Sequence, residues 1–201
     1  NRWVATFGNG YNQNRAEIAQ AALYVMDLEN SGQLLWKVPL DEVGGDVVNA
    51  AIASPTVIDA DAVTAFRHSG AILYLPDLEG TLWKVDLSDG VDLPSAASTT
   101  LPVARVGRLF RDSTMTTANG RLVYYGSAAA MGSLWLYYAT SDQQNLYDQT
   151  AINRLYGVVD PDFPSPRVSV DTASTTVPPA LMEVGGGAGC PPLPAPGWTA
   201  D

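Results

Sequence analysis

The apolar residues of this chain occur in short runs that end at turn-forming residues. Through residues 1–171 the runs are rich in β-branched and aromatic side chains, and Gly, Pro, Asn or Asp closes most of them. This pattern predicts strands joined by tight turns. Residues 29–32, which separate two apolar runs, have the composition of a hairpin loop. Only residues 12–20, which are polar with Ala and Glu, suit a helical turn as well as a loop.

One short sequence motif, which we call the Leu-aromatic phrase, occurs three times, and it predicts the fold class. It begins with leucine and an aromatic residue (Tyr or Trp), continues with residues that include a valine, and ends with aspartate. The three copies lie at residues 23–27, 82–86 and 155–160. A β-phrase repeated at this spacing is typical of bladed or stacked β architectures. We therefore predict an all-β fold, a partial β-propeller with about three blade-like antiparallel units of a larger propeller.

Two classes of side chain in these units are predicted to be structural. Asp27, Asp86 and Asp160 end the three phrases, where a carboxylate accepts hydrogen bonds from turn amides. Four tryptophans are large enough to fill the space between neighbouring sheets, and we expect core packing for all of them. They are Trp3, Trp36, Trp83 and Trp135. The third unit is predicted to begin with a strand at residues 122–125.

The composition changes after residue 171. Residues 172–196 are rich in Pro and Gly and predict a loop or linker with little capacity for a packed core. Residues 197–201 resemble the start of a further strand, at which we expect the chain to be truncated. Because three blade-like units cannot close a ring, the closing blades are expected outside these 201 residues.

Charge and residue usage argue against several functional classes. The formal net charge is −10, from 21 Asp and Glu against 11 Lys and Arg. This balance disfavours nucleic acid and anionic membrane surfaces, which need clustered cations. No apolar run approaches the ~18 residues of a membrane-spanning helix. The single histidine, His68, and the single cysteine, Cys190, form neither a catalytic triad nor a zinc site. We predict no catalytic residue and no enzymatic activity.

Five motifs occur in a fixed order along the chain. They are RWVATFGNGYN at 2–12, SPTVID at 54–59, PDLEGTLWKVDL at 76–87, GSLWLYY at 132–138 and LYGVVD at 155–160. Together with GW at 197–198, they resemble the C-terminal, quinoprotein-like β-propeller of the PilY1 family of type IV pilus biogenesis and tip-associated proteins.

The resemblance implies a function and a location. It implies an exported protein at the cell surface, the pilus tip or the outer membrane and periplasm. The propeller would be a protein-interaction and assembly platform that supports pilus extension and adhesion. The implied partners are the minor pilins of the pilus tip complex, the remainder of the same chain and a host or surface receptor.

The sequence departs from the family pattern at a calcium loop. The resemblance implies alternating oxygen ligands after the SPTVID strand, as in other calcium loops. Asp59 and Asp61 keep the first two ligand positions, but Val63 replaces the third. We expect a plain acidic turn and no cofactor, and the alternative is a weak calcium site at Asp59 and Asp61.

Two other functional classes remain open from the sequence. A fragment of a quinone-dependent dehydrogenase would share the fold and would oxidise an alcohol with calcium and the quinone present. A periplasmic scaffold of the outer-membrane assembly type would share the Leu-Trp-Lys phrase, and its loss would leave piliation intact.

Overall fold

The computed structural model describes residues 3–11, 21–40, 50–59, 71–88, 105–111, 122–130, 134–141, 153–165 and the backbone of 181–184. These residues contain eleven strands and no helix. The strands are β1 (Val4–Gly8), β2 (Ala21–Asp27), β3 (Gln33–Leu40), β4 (Thr56–Ile58), β5 (Ile72–Pro76), β6 (Leu82–Asp86), β7 (Val106–Phe110), β8 (Ala128–Ala130), β9 (Trp135–Ala139), β10 (Asn153–Val159) and β11 (Leu181–Val184).

The strands form three antiparallel sheets in which neighbours along the chain pair with each other. Sheet 1 has the order β1-β2-β3, sheet 2 the order β4-β5-β6-β7, and sheet 3 the order β8-β9-β10-β11. Up-and-down sheets of about four strands are the blades of a propeller. The all-β, partial β-propeller prediction is confirmed.

The three copies of the repeated phrase occupy the same place in their sheets. They lie on β2, β6 and β10, and each pairs with the strand before it, β1, β5 or β9. Just beyond these preceding strands, Asn9, Asp77 and Thr140 each use a side-chain oxygen to accept the backbone amide of the residue opposite. This shared capping bond fixes the correspondence: β1, β5 and β9 are equivalent, and so are β2, β6 and β10.

Sheets 1 and 2 enclose one apolar core between them. Strands β2 and β3 contribute Leu23, Val25, Leu35, Trp36, Val38 and Leu40, and strands β5 and β6 contribute Leu73, Leu75, Trp83 and Val85. Trp36 and Trp83 are 7% and 6% exposed. The predicted packing of these two tryptophans between sheets is confirmed.

Sheets 2 and 3 enclose a second core on the other face of sheet 2. It contains Ile72, Tyr74, Leu82, Phe110, Leu134, Leu136, Tyr138, Tyr156 and Val158. Alternate residues of β5 point into each core, because successive side chains of a strand point to opposite faces. Every residue of β5 and β6 is therefore buried.

The other two tryptophans do not pack between the described sheets. Trp3 is 75% exposed, so its predicted burial is wrong here. It precedes β1 on the face of sheet 1 that points away from sheet 2. Trp135 is half-buried and stacks on Tyr137, with ring centroids 6.1 Å apart. Residues 135 and 137 alternate with 134, 136 and 138, which face sheet 2.

Two local predictions need correction. Residues 122–125 form no strand; the first strand of sheet 3 is the short β8. Their backbone is used for contacts between sheets instead. Residues 181–184 lie in the predicted loop or linker yet form β11, which pairs with β10. Leu181-Met182-Glu183-Val184 is one of the few apolar stretches of that segment. It pairs with the edge of β10 that β9 leaves open. The remainder of 172–201 lies outside the described residues.

Backbone hydrogen bonds join the sheets at one end of their strands, near the turn between β5 and β6. The Leu78 amide donates to the Ala50 carbonyl, the Val123 amide donates to the Leu78 carbonyl, and the Ser141 amide donates to the Leu122 carbonyl. The turn of sheet 2 that contains Leu78 is thus held by the segments that precede β4 and β8. These bonds hold the ends of the sheets at fixed positions relative to one another.

Candidate functional site

The aspartates that end the three phrases accept turn amides, as predicted. Asp27 Oδ1 accepts the amides of residues 29 and 30 at 2.9 and 3.2 Å. Asp86 Oδ1 accepts the amide of residue 88 at 2.8 Å, and Asp160 Oδ1 accepts the amide of residue 162 at 3.0 Å. Such bonds stabilise the turn that follows each strand.

Asp160 differs from the other two because its phrase is one residue longer. LYGVVD has six residues where LYVMD and LWKVD have five. In a strand an extra residue moves the next side chain to the opposite face. The Asp160 side chain therefore points at sheet 2, and its Oδ2 atom lies against two polar side chains of that sheet.

These side chains form a buried polar cluster, which we call the Lys84 cluster: Tyr74, Lys84, Asp160 and the carbonyl of Ser165. Lys84 Nζ lies 2.7 Å from Asp160 Oδ2, and their side chains are 2% and 0% exposed. The Tyr74 hydroxyl donates to the same oxygen at 2.6 Å. Lys84 Nζ also donates to the Ser165 carbonyl at 3.0 Å.

The electrostatics of the cluster favour a neutral tyrosine. Burial raises the pKa of the Tyr74 hydroxyl, and its hydrogen bond to Asp160 raises it further, because loss of the proton would set two negative charges side by side. The hydroxyl is therefore a hydrogen-bond donor at every physiological pH and a poor general base. The ion pair and hydrogen bonds of the cluster hold sheets 2 and 3 together, so we assign its residues a structural role.

Asp77 holds the tryptophan of the first core. Its Oδ2 atom accepts the indole N–H of Trp83 at 2.7 Å, and its Oδ1 atom accepts the Thr81 amide at 2.9 Å. The indole is thus oriented by a buried carboxylate, while its ring packs against sheet 1. In the sequence, Asp77 was identified only as part of the PDLEGTLWKVDL motif, and this contact was not predicted.

The predicted metal site is only partly visible. Asp59 is half-buried and directly follows β4, whereas Asp61 lies outside the described residues. Within the described part of the chain, no group of three or more His, Cys, Asp or Glu side chains is placed to hold a metal ion. The plain acidic turn expected here and its alternative, a weak calcium site at Asp59 and Asp61, both stay predictions. His68 and Cys190 also lie outside the described residues.

Sheet 1 presents an exposed aromatic surface. We call it the outer face of sheet 1, and it consists of Trp3, Ala5, Phe7, Tyr24, Met26 and Leu28. Phe7 is 43% exposed and stacks on Tyr24, with ring centroids 5.9 Å apart and ring planes 18° apart. Leu28 is exposed as well. Among the described residues this is the surface best suited to protein recognition, because clustered exposed aromatic residues mark interaction sites.

No helix among the described residues is long and apolar enough to cross a membrane.

Comparison with known proteins identifies one family. The family model for the PilY1 beta-propeller domain matches residues 1–134, which contain sheets 1 and 2 and the first strand of sheet 3. No curated protein and no solved structure matches the chain.

Proposed function

The chain belongs to the family of PilY1 β-propeller domains, and from this premise we propose that it is a protein-interaction and assembly platform of the type IV pilus. In this proposal the propeller carries no catalytic centre. It supports pilus extension and surface adhesion by holding partner proteins against its rigid sheets.

The family match over residues 1–134 is the observation that carries the proposal. The architecture is consistent with it, because the polar side chains of the stack are used to hold sheets together. Asp160 ties sheet 3 to sheet 2, and Asp77 holds Trp83 in the first core. A stack fixed in this way presents its outer surfaces at constant positions, which suits a binding platform.

We place the protein outside the cytoplasm, at the pilus tip or the outer membrane, with minor pilins as direct partners. The family's association with pili supports both statements. A host or surface receptor is the further partner that adhesion would require.

Deletion and complementation test the pilus function. We expect cells that lack the protein to lose surface pili, measured by shearing, gel densitometry and electron microscopy. The wild-type gene should restore them. A second measurement tests the platform directly: purified minor pilins should bind the immobilised protein, and the purified major pilin serves as the matched control.

Different results would favour the other two classes. Intact piliation in the deletion strain would contradict the proposal and favour a periplasmic scaffold of outer-membrane assembly. Dye-linked alcohol oxidation that appears with quinone and calcium and disappears on chelation would show an enzyme.

A further inference from the structure

The Lys84 cluster holds an amine and a carboxyl group in contact between two sheets. Lys84 lies in β6, every residue of which is buried, and its Nζ atom is 2.7 Å from Asp160 Oδ2. Asp160 follows β10, and its backbone amide donates to the Leu134 carbonyl at 3.1 Å. Its carboxylate also accepts the amide of residue 162 and the Tyr74 hydroxyl. The backbones of both sheets thus hold the two groups at contact distance.

Water has little access to this pair. The side chains of Lys84 and Asp160 are 2% and 0% exposed. Tyr74, which touches Asp160, belongs to the core between sheets 2 and 3, and Phe163 packs against the same core. Burial of an ion pair is costly because two charges leave water. A reaction that removes both charges is therefore favoured at this site.

The chain's other ion pair and its other lysine lack this arrangement. Asp86 pairs with Arg105, whose side chain is 27% exposed, and a guanidinium group stays protonated and is therefore no nucleophile. The chain has two lysines, and Lys37 is exposed. Among the described residues, Lys84 and Asp160 therefore form the one buried contact between an amine and a carboxyl group.

We propose that Lys84 and Asp160 condense after folding to an amide bond between their side chains, which links sheets 2 and 3 covalently. The ion pair is the state before reaction. Transfer of one proton from the ammonium group to Asp160 Oδ2 gives a neutral amine and a carboxylic acid. The Nζ lone pair then attacks Cγ, the bond between Cγ and Oδ2 breaks, and Oδ2 leaves as water with that proton and a second one from Nζ. One water molecule is released, and nothing is oxidised or reduced.

Three features of the site promote this reaction. Well-oriented groups within one molecule react as if present at about 10⁵–10⁸ M, which offsets the unfavourable proton transfer. Exclusion of water limits hydrolysis of the product. The amide of residue 162 donates to Oδ1, the oxygen that becomes the amide carbonyl, and the Tyr74 hydroxyl donates to Oδ2, the oxygen that leaves. Donors placed at oxygens where negative charge develops lower the barrier.

Mass spectrometry of the full-length protein under denaturing conditions tests the proposal. The bond forms slowly, because the pair must first lose its charges, so newly purified protein contains mainly the ion pair. When the folded protein is incubated over days, we expect a growing species that is lighter by one water molecule. Trypsin does not cleave after an acylated lysine, so residues 68–105 and 155–167 should appear as one branched peptide. Folded protein that keeps its full mass would overturn the proposal.

The peptide map and two variants identify the bond. A succinimide at Asp89-Gly90 would lose the same mass, but within the separate peptide 85–105, and a water loss confined to that peptide would overturn the proposal. Lys84→Arg keeps a cation beside Asp160 without a reactive amine, so it should form no branched peptide. Tyr74→Phe should slow the reaction about a hundredfold, because it removes the donor to the leaving oxygen, and an unchanged rate would contradict the assigned chemistry. The wild-type peptide map decides the question even if a variant fails to fold.

Discussion

Replacing Lys84 by methionine should destabilise the protein far more than the same change at Lys37, the other lysine of the chain. Methionine keeps most of the apolar stem and removes the charge, so the packing between the sheets is nearly retained. The Asp160 carboxylate, whose side chain is fully buried, then loses its only described cationic contact. Breaking a buried ion pair by removing one partner costs about 3–5 kcal/mol.

The surroundings of Asp160 place the expected value at the low end of this range. Its Oδ2 atom still accepts the Tyr74 hydroxyl, and its Oδ1 atom still accepts the amide of residue 162. The Ser165 carbonyl loses the Lys84 donor, which adds roughly 1 kcal/mol. We expect a loss of about 4 kcal/mol in the free energy of unfolding.

Urea denaturation followed by tryptophan fluorescence measures the effect, and a double-mutant cycle isolates the pair. Asp160→Asn alone leaves the lysine charge buried and should cost a similar amount. The double variant should cost at least about 2 kcal/mol less than the sum of the two single changes, because it buries no unpaired charge. Lys37→Met is the matched control: Lys37 is an exposed lysine on a strand, and its loss should change stability by less than about 0.5 kcal/mol. Additive costs, or a Lys84→Met cost near that of the control, would refute the role of the cluster.

Four other outcomes are expected. Trp83→Ala should lower the free energy of unfolding by roughly 3–5 kcal/mol in urea titrations, whereas Tyr125→Ala should change it by less than about 0.5 kcal/mol, and equal effects would place Trp83 on the surface. Burial and the hydrogen bond to Asp160 raise the pKa of the Tyr74 hydroxyl above its ordinary value of 10.0. The stability that this group contributes is therefore complete below that pH, and above it the free energy of unfolding falls by about 1.4 kcal/mol per pH unit. Tyr74→Phe should remove this part of the loss of stability at alkaline pH. Gly8→Ala should lower the melting temperature by several degrees, since the added methyl group would overlap a carbonyl of the neighbouring segment, and an unchanged temperature would contradict that close approach. Calcium at millimolar concentration should not raise the melting temperature; a rise that is lost in Asp59→Ala would establish the calcium loop.

The sequence was sufficient to predict which parts of the chain form the repeated strands. The Leu-aromatic phrase identified β2, β6 and β10, because its alternation and its closing aspartate are local properties. The burial of Trp83 followed from its size and its place in the phrase. Trp3 has the same size and a similar strand beside it, yet it is exposed, because its burial depends on which sheet lies next to sheet 1.

Features that depend on contacts between sheets escaped prediction. Nothing local marks Lys84 as buried, since a lysine on a strand ordinarily faces solvent. The visible signal was the sixth residue of LYGVVD, which reverses the face of Asp160 and brings a carboxylate to Lys84. Strand β11 was missed because Pro and Gly around it dominate the composition, whereas its four residues pair with an edge that only the assembled sheet 3 provides.

The Lys84 cluster also constrains the order in which the chain can fold during synthesis. Sheet 2 is complete when β7 has been made, but the carboxylate that neutralises Lys84 follows only after β8, β9 and β10. Until then the ammonium group stays hydrated, and the face of sheet 2 that carries Tyr74 and Lys84 cannot become dry. Sheets 2 and 3 should therefore reach their final packing in one concerted step and open together as a single cooperative unit in native-state exchange.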